Sequence, residues 1–198
     1  GASNMNEIKN ALGSLLYGFL KLKKKPSLDL FNSLLKLEEC KKILQSKVTL
    51  LHCTSEYPAP LDEVNLMAMK EIKNKFNTKI GYSDHTTGIL TPLGAICFGA
   101  KVIEKHFTLN KHDDGPDHQA SLEPNEFKKM IQSIRLLEKT FGNGHKKISK
   151  SEKKNINLIR KNIVAKKTIY KGDVFTEKNL TVKRAGKGIT PFKIWDLL

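Results

Sequence analysis

The stretch Gly81-Tyr-Ser-Asp-His-Thr-Thr-Gly88, answered by Val102-Ile-Glu-Lys-His-Phe-Thr108, decides the fold. Each half reads as a short strand ending in a polar cluster that carries a histidine, His85 in the first and His106 in the second. Between them, Ile89 to Ala100 is apolar, rich in small residues and long enough to cross a sheet face as a helix. A strand–helix–parallel strand connection is right-handed almost without exception, so both histidines emerge at the same sheet edge. The carboxyl edge of parallel strands is where α/β enzymes place their chemistry. Two imidazoles, the carboxylates of Asp84 and Glu104, the hydroxyls of Ser83 and Thr86, and Lys105 at that edge point to a metal-assisted site.

The flanking sequence extends the same pattern. Lys47-Val-Thr-Leu-Leu-His-Cys53 reads as a buried strand followed by a loop over Thr54 to Pro60. Asp62 to Phe76 places Val64, Met67, Ala68, Ile72 and Phe76 at helical spacing. Lys79 to Tyr82 is the next strand, Thr91 to Ala100 a helix, and a strand then runs to Phe107. Asn110 to Glu123 is a long loop. Pro124 to Phe141 is a helix with Pro124 in its first turn and a stripe of Phe127, Met130, Ile131, Ile134, Leu137 and Phe141. Three consecutive strand–helix units argue for an α/β protein with a parallel sheet and helices outside. Upstream, Asn4 with Glu7 forms a capping box, Lys23-Lys-Lys-Pro26 breaks that helix, and Ser27 starts a second helix bearing Leu28, Phe31, Leu34, Leu35 and Leu37. Downstream, Gly142 to Lys154 is a polar hinge. After it, Asn162-Ile-Val-Ala, Thr168 to Phe175 and Asn179 to Arg184 read as short strands of a small β-rich module. The resulting division is 1–141, a linker over 142–160, and 161–198.

Composition narrows the function classes. The 198 residues are 39% hydrophobic, enough for a real core. Leu12 to Leu22 is too short and too interrupted for a membrane helix, and no charged-then-apolar leader follows Gly1. Cys40, Cys53 and Cys97 are odd in number, lack metal-type spacing and sit in apolar contexts, so they read as buried free thiols of a reducing cytoplasm. The net charge of +15, from 35 Lys+Arg against 20 Asp+Glu, makes nucleic acid a legitimate suspect. The lysines are scattered with few interleaved aromatics, however, and read as a solvated surface rather than a nucleic-acid face.

Imidazole with carboxylate and water suits Mn²⁺, Fe²⁺ or Zn²⁺, whose task would be to polarise a substrate oxygen. Glu104 reads either as an acid/base group or as a salt-bridged strand end. Glu56-Tyr57-Pro58-Ala59-Pro60 presents a phenol and a carboxylate on a rigid loop. Gly115-Pro-Asp-His118 brings Asp117 and His118 to the same edge, or is a plain surface turn.

The blocks LLHCTSEYPAP, GYSDHT, VIEKHFTL, GPDHQASLEP and NLTVKR, in that order from about Val48, resemble the sialic acid synthase family. This family comprises the bacterial N-acetylneuraminate synthases and their legionaminate-making relatives. The resemblance implies the C-terminal part of a (β/α)₈ TIM barrel followed by a small β-rich SAF (antifreeze-like) domain. It implies condensation of phosphoenolpyruvate with an N-acetylated amino sugar, usually N-acetylmannosamine, using Mn²⁺ or Mg²⁺. Matched by motif, His85 and His106 resemble the metal ligands, Ser83 a phosphoenolpyruvate contact, and Glu104 the acid/base residue. Ser55, Tyr57 and Asp117 resemble sugar contacts. Arg184 resembles the arginine that the SAF domain of one subunit places over its partner's active site, which implies a domain-swapped homodimer in the cytoplasm. In the same comparison Gly1-Ala-Ser resembles the turn after the fifth barrel strand, so the last three strands are expected here. The segment from Tyr17 to Cys40 is longer than the corresponding helix, Ala185 replaces the usual proline, and Leu198 falls before the SAF domain would end. The rival readings are an N,N′-diacetyllegionaminate synthase, a basic nucleic-acid-binding module and an inactive remnant. Steep salt dependence and indifference to Mn²⁺ would mark the nucleic-acid module.

Overall fold

Asn4 opens the first helix as the capping box predicts: its side chain accepts from the backbone N–H groups of Asn6 and Glu7, and the Glu7 carboxylate accepts from Asn4 N at 2.7 Å. The structure, a computed structural model, describes residues 1–198 as two compact units, Gly1–Gly142 and Asn143–Leu198. Each unit is described separately.

In the first unit α1 (Met5–Phe19) is followed by α2 (Leu28–Leu34), capped by Ser27. The chain then turns at Leu35–Leu37 and enters a third helix, α3 (Glu38–Lys47), which the periodicity did not reveal. The 17–40 segment is therefore part of a three-helix layer. Leu12, Leu16, Leu34, Cys40, Leu44 and Val48 form its closed apolar core.

Strand β1 (Thr49–Cys53) pairs in parallel with β2 (Lys79–Asp84), and β2 with β3 (Ile103–Lys105), in spatial order β1-β2-β3. The expected α/β layout with a parallel sheet is present. Between β1 and β2 the structure departs from the expected helix over 62–76. A 3₁₀ turn (Leu61–Glu63) leads to Asn65 at φ 48°, and only α4 (Ala68–Phe76) is helical. Asparagine tolerates this left-handed conformation better than most residues, and the break turns Val64 inward while Met67 faces solvent. Between β2 and β3 lies α5 (Leu90–Cys97), three residues shorter than expected at its end, and β3 closes before His106 and Phe107.

Helix α6 (Pro124–Thr140) has Pro124 in its first turn and a Glu123/Glu126 capping box. Of its stripe only Met130 and Ile134 are buried, packed with Leu122, whereas Ile131 and Phe141 are exposed. The sheet core is Val64, Met69, Ile72, Ile80, Tyr82, Ala95 and Ala100. Cys40 is buried and Cys53 half-buried, but Cys97 is exposed, which corrects the reading of three buried thiols.

In the second unit, α7 (Lys150–Ile159) is capped by Ser149 and Glu152 and fills most of the segment expected to be a bare linker. Strand β4 (Asn162–Ala165) pairs antiparallel with β5 (Leu180–Lys183). The strand expected over 168–175 is absent. Tyr170 N donates to Asp173 Oδ2 at 2.8 Å, and Gly172 adopts φ 100°, so the segment turns rather than extends. The chain closes with α8 (Ile194–Leu197). No helix is long and apolar enough to cross a membrane.

Two predictions follow from this packing. A Cβ at Gly13 would lie 2.4 Å from Phe31 Cβ and 3.1 Å from its Cα, so α1 and α2 touch at a glycine. Overpacking costs about 1–3 kcal/mol, against roughly 1 kcal/mol of helix propensity gained. Gly13→Ala is therefore expected to lower the urea midpoint, and an unchanged or raised midpoint would contradict this packing. Tyr82 is fully buried, and its phenol donates to Asp84 Oδ1 at 3.0 Å. Burial first, and the Asp84 charge second, push its pKa well above the ordinary tyrosine value. The folded state thus holds its phenol proton where the unfolded chain releases it, and stability falls as pH rises past about 10. Melting followed by circular dichroism should show this alkaline loss in the parent and a smaller one in Tyr82→Phe.

Candidate functional site

The pairing of β2 with β3 builds the site. Ser83 is the register partner of Glu104, and Asp84 of Lys105, so His85 and His106 leave the two strands side by side. Alternation along a strand puts Ser83 and His85 on one face and Asp84 on the other. The same holds for Glu104, His106 and Lys105.

On the site face, Ser83 Oγ donates to Glu104 Oε1 at 2.6 Å. The rings of His85 and His106 lie 5.3 Å apart between centroids at 87°. His85 is buried, and its Nδ1 lies 2.7 Å from the Thr54 carbonyl, an acceptor that requires the hydrogen on Nδ1. That leaves the Nε2 lone pair with only the weak Cys53 thiol, 3.9 Å away, the arrangement by which an outer partner on Nδ1 orients a ligating histidine. The His85 carbonyl accepts from Ala59 N at 2.9 Å, and the His106 carbonyl from Leu122 N at 2.9 Å, so both histidines are held at the backbone and His85 at its ring as well.

Tyr57, although 46% exposed, stacks on His85 with centroids 4.0 Å apart and meets His106 edge-on at 5.1 Å. Lost hydration raises its phenol pKa, and the neighbouring Cys53, Asp117 and Glu104 add in the same direction. Asp117 Oδ2 stands 3.9 Å from His106 Nδ1. Tyr57, His85, His106, Ser83, Glu104 and Asp117 thus form one linked group. Ser55 lies at its margin, exposed and against Gly1. Arg184 belongs to the second unit, one residue beyond β5 and exposed.

Three residues expected to join the site edge are used elsewhere. Asp84, Thr86 and Lys105 form a hydrogen-bonded cluster on the opposite face, shut away from solvent. His118 is likewise engaged, with Nδ1 2.7 Å from Thr108 Oγ1, so it anchors its loop while Asp117 alone reaches toward the histidines. Conversely, sequence reasoning passed over Cys53. Its Sγ lies 3.7 Å from His85 Nδ1, and its position in the β1 register opposite Ser83 was the available signal.

No group of three or more His, Cys, Asp or Glu side chains converges as a ready-made metal cage. Two oriented imidazoles, with Glu104 and Asp117 nearby, instead suit a divalent ion that takes its remaining ligands from water and substrate oxygens.

Comparison with known proteins agrees with this architecture. The NeuB family profile matches residues 1–146. The N,N′-diacetyllegionaminic acid synthase of Campylobacter jejuni is 55% identical over 154 residues, 78% of this chain and 46% of that protein. Human N-acetylneuraminate-9-phosphate synthase is 40% identical over 159 residues, 79% of this chain and 44% of that protein. The chain thus spans about half the length of the curated relatives it matches. Among solved structures, the N-acetylneuraminic acid synthetase of Leptospira borgpetersenii superposes with a TM-score of 0.56 at 31% identity, covering 75% of this chain and 54% of that one. On the profile match over residues 1–146, the chain belongs to the NeuB family, the sialic acid synthases and their relatives.

Proposed function

We propose that the protein condenses phosphoenolpyruvate with an N-acetylated amino sugar and releases phosphate. In this reading the first unit supplies the last strands of a (β/α)₈ barrel, and the second belongs to a SAF-type domain. The observation that carries it is the paired strand ends: His85 and His106 side by side, with Ser83–Glu104 one step below and Tyr57 stacked above.

His85 and His106 would hold a divalent ion, which would supply Lewis-acid polarisation of the sugar carbonyl. The chain's own groups do the rest. Carbon 3 of phosphoenolpyruvate bonds to the sugar aldehyde carbon, and Glu104 delivers the proton that turns the aldehyde oxygen into a hydroxyl. Ser83 donates to Glu104 and orients that carboxyl, and on the motif match it contacts phosphoenolpyruvate once its single hydroxyl hydrogen turns from Glu104 to the substrate. Water adds at carbon 2 and gives a proton back to Glu104, and the carbon–oxygen bond to phosphate breaks as the new hydroxyl at carbon 2 becomes the ketone, its proton leaving with the phosphate. Tyr57, whose phenol keeps its proton through neutral pH, donates to the sugar, while Asp117 and Ser55 receive its hydroxyls. Positioning reactants in this way is worth more than a protein nucleophile in such a condensation. On the motif match alone, Arg184 is assigned to the sugar of a neighbouring subunit, which makes the working form a homodimer. The metabolite substrates place it in the cytoplasm.

The higher identity of the legionaminic acid synthase favours a diacetylated sugar as a second reading within the same chemistry. Phosphate release from phosphoenolpyruvate with Mn²⁺ by the chain extended upstream to a whole barrel, measured with N-acetylmannosamine and with a diacetylated bacillosamine-derived sugar, separates the two. Release is expected with one of them, lost in His85→Ala and His106→Ala and lowered about 10²–10⁴-fold in Glu104→Gln. Silence of a folded, metal-loaded protein with both sugars overturns the enzyme reading.

A further inference from the structure

We propose that the buried Asp84–Lys105 ion pair is a positioning device that locks the ends of β2 and β3 in the one register that sets the spacing of His85 and His106. The inference rests on the synthase reading above, because it takes those two histidines as the metal ligands.

Both side chains have 0% exposure. Lys105 Nζ donates to Asp84 Oδ2 at 2.6 Å and also to the Thr86 carbonyl. The other carboxylate oxygen, Asp84 Oδ1, accepts from Tyr82 OH at 3.0 Å, Thr86 N at 3.0 Å and Thr86 Oγ1 at 2.9 Å. Thr86 Oγ1 in turn contacts Thr91 Oγ1 at the start of α5. The cluster therefore ties together the end of β2, the turn after it, the end of β3 and the first turn of the crossover helix.

Stability alone does not account for such a pair. Two charges withdrawn from water recover their desolvation cost only with excellent geometry, and an apolar pair of the same volume is often as stable or more so. What charge adds is direction. Asp84 and Lys105 are register partners that immediately precede His85 and His106. An apolar pair tolerates a sliding or tilting of one strand end against the other. The ion pair does not, because any displacement strands a buried charge. A positioning role therefore separates from a structural one: neutralising the pair leaves the fold and loosens the histidines.

Asp84→Asn/Lys105→Met cancels both charges at nearly constant volume and keeps an oxygen acceptor for Tyr82 and Thr86. The test measures its thermal midpoint beside its dissociation constant for Mn²⁺ alone, from the free-ion electron paramagnetic resonance signal. The parent is expected to bind Mn²⁺ through the histidines, losing it in His85→Ala/His106→Ala. The neutral pair should melt within about 4 °C of the parent yet bind Mn²⁺ about tenfold or more weakly, the size of effect seen when outer-shell partners are removed. Lys105→Arg, which keeps the charge, should recover most of that loss. If the double variant does not fold, Asp84→Asn/Lys105→Gln carries the same expectation, since it too leaves no buried charge and its amide keeps a donor toward the Thr86 carbonyl. A folded neutral variant that binds Mn²⁺ as tightly as a histidine-dependent parent overturns the positioning role and leaves the synthase reading standing. Parent binding that ignores both histidines overturns the two together.

Discussion

The site depends on a single constraint, the parallel register of β2 against β3. Because side chains alternate along a strand, a slip of one residue exchanges the two faces. Ser83 and Glu104 would then no longer meet, and His85 would lose its partner across the strand. Gly81 sits where that register is enforced by contact: a Cβ there would come within 2.7 Å of the Val102 carbonyl, the same carbonyl that accepts from Tyr82 N at 2.9 Å. Close backbone approach at one point and a buried ion pair three residues on leave the strand ends little freedom. What an active site needs from its scaffold is this freedom removed.

The packing around the sheet serves the same end. The helical layer α1–α3 and the sheet core share Ile8, Leu50 and Phe76, which touch both apolar clusters. The layer therefore braces β1, and β1 carries Cys53 and, just beyond it, the Thr54 carbonyl that fixes the His85 ring. On the other side Leu122, with Met130 and Ile134 of α6, packs against Ile103, and its N–H holds the His106 carbonyl. Each histidine is thus supported by a different part of the core, one through β1 and one through the segment before α6.

Much of this was legible because the signals were local. The capping pairs at Asn4 and Ser27, Pro124 at its helix start and the apolar strands need only near neighbours to act. The failures have a common form. Leucines spaced along Ser27–Leu44 report an apolar face but not the turn at Leu35–Leu37 that divides it into two helices. Asn65 ends the first turn by a backbone choice that the surrounding hydrophobic spacing conceals. Thr168 to Phe175 has strand-like composition, yet no partner strand takes it up and Asp173 closes a turn instead. At the site, the two histidines were apparent from sequence. Which face Asp84 and Lys105 take was not, although alternation from His85 and His106 already implied it.

The charges left on the site face bear on what it holds. Lys105, the cation nearest in sequence, is neutralised by Asp84 and turned away, so it offers nothing to the pocket. Around the imidazoles stand Glu104 and Asp117, and their influence is visible in the raised pKa of Tyr57. Two carboxylates beside two imidazoles, with no free cation in the cluster, make a locally negative site within a chain of net charge +15. In the proposed condensation a divalent cation would balance such a cluster and reverse its sign toward phosphoenolpyruvate, since a bound ion is the largest local charge in its surroundings. The basic exterior would attract the same substrate from a distance. On that proposal, long-range attraction is carried by surface lysines and recognition is left to a cation-dependent centre.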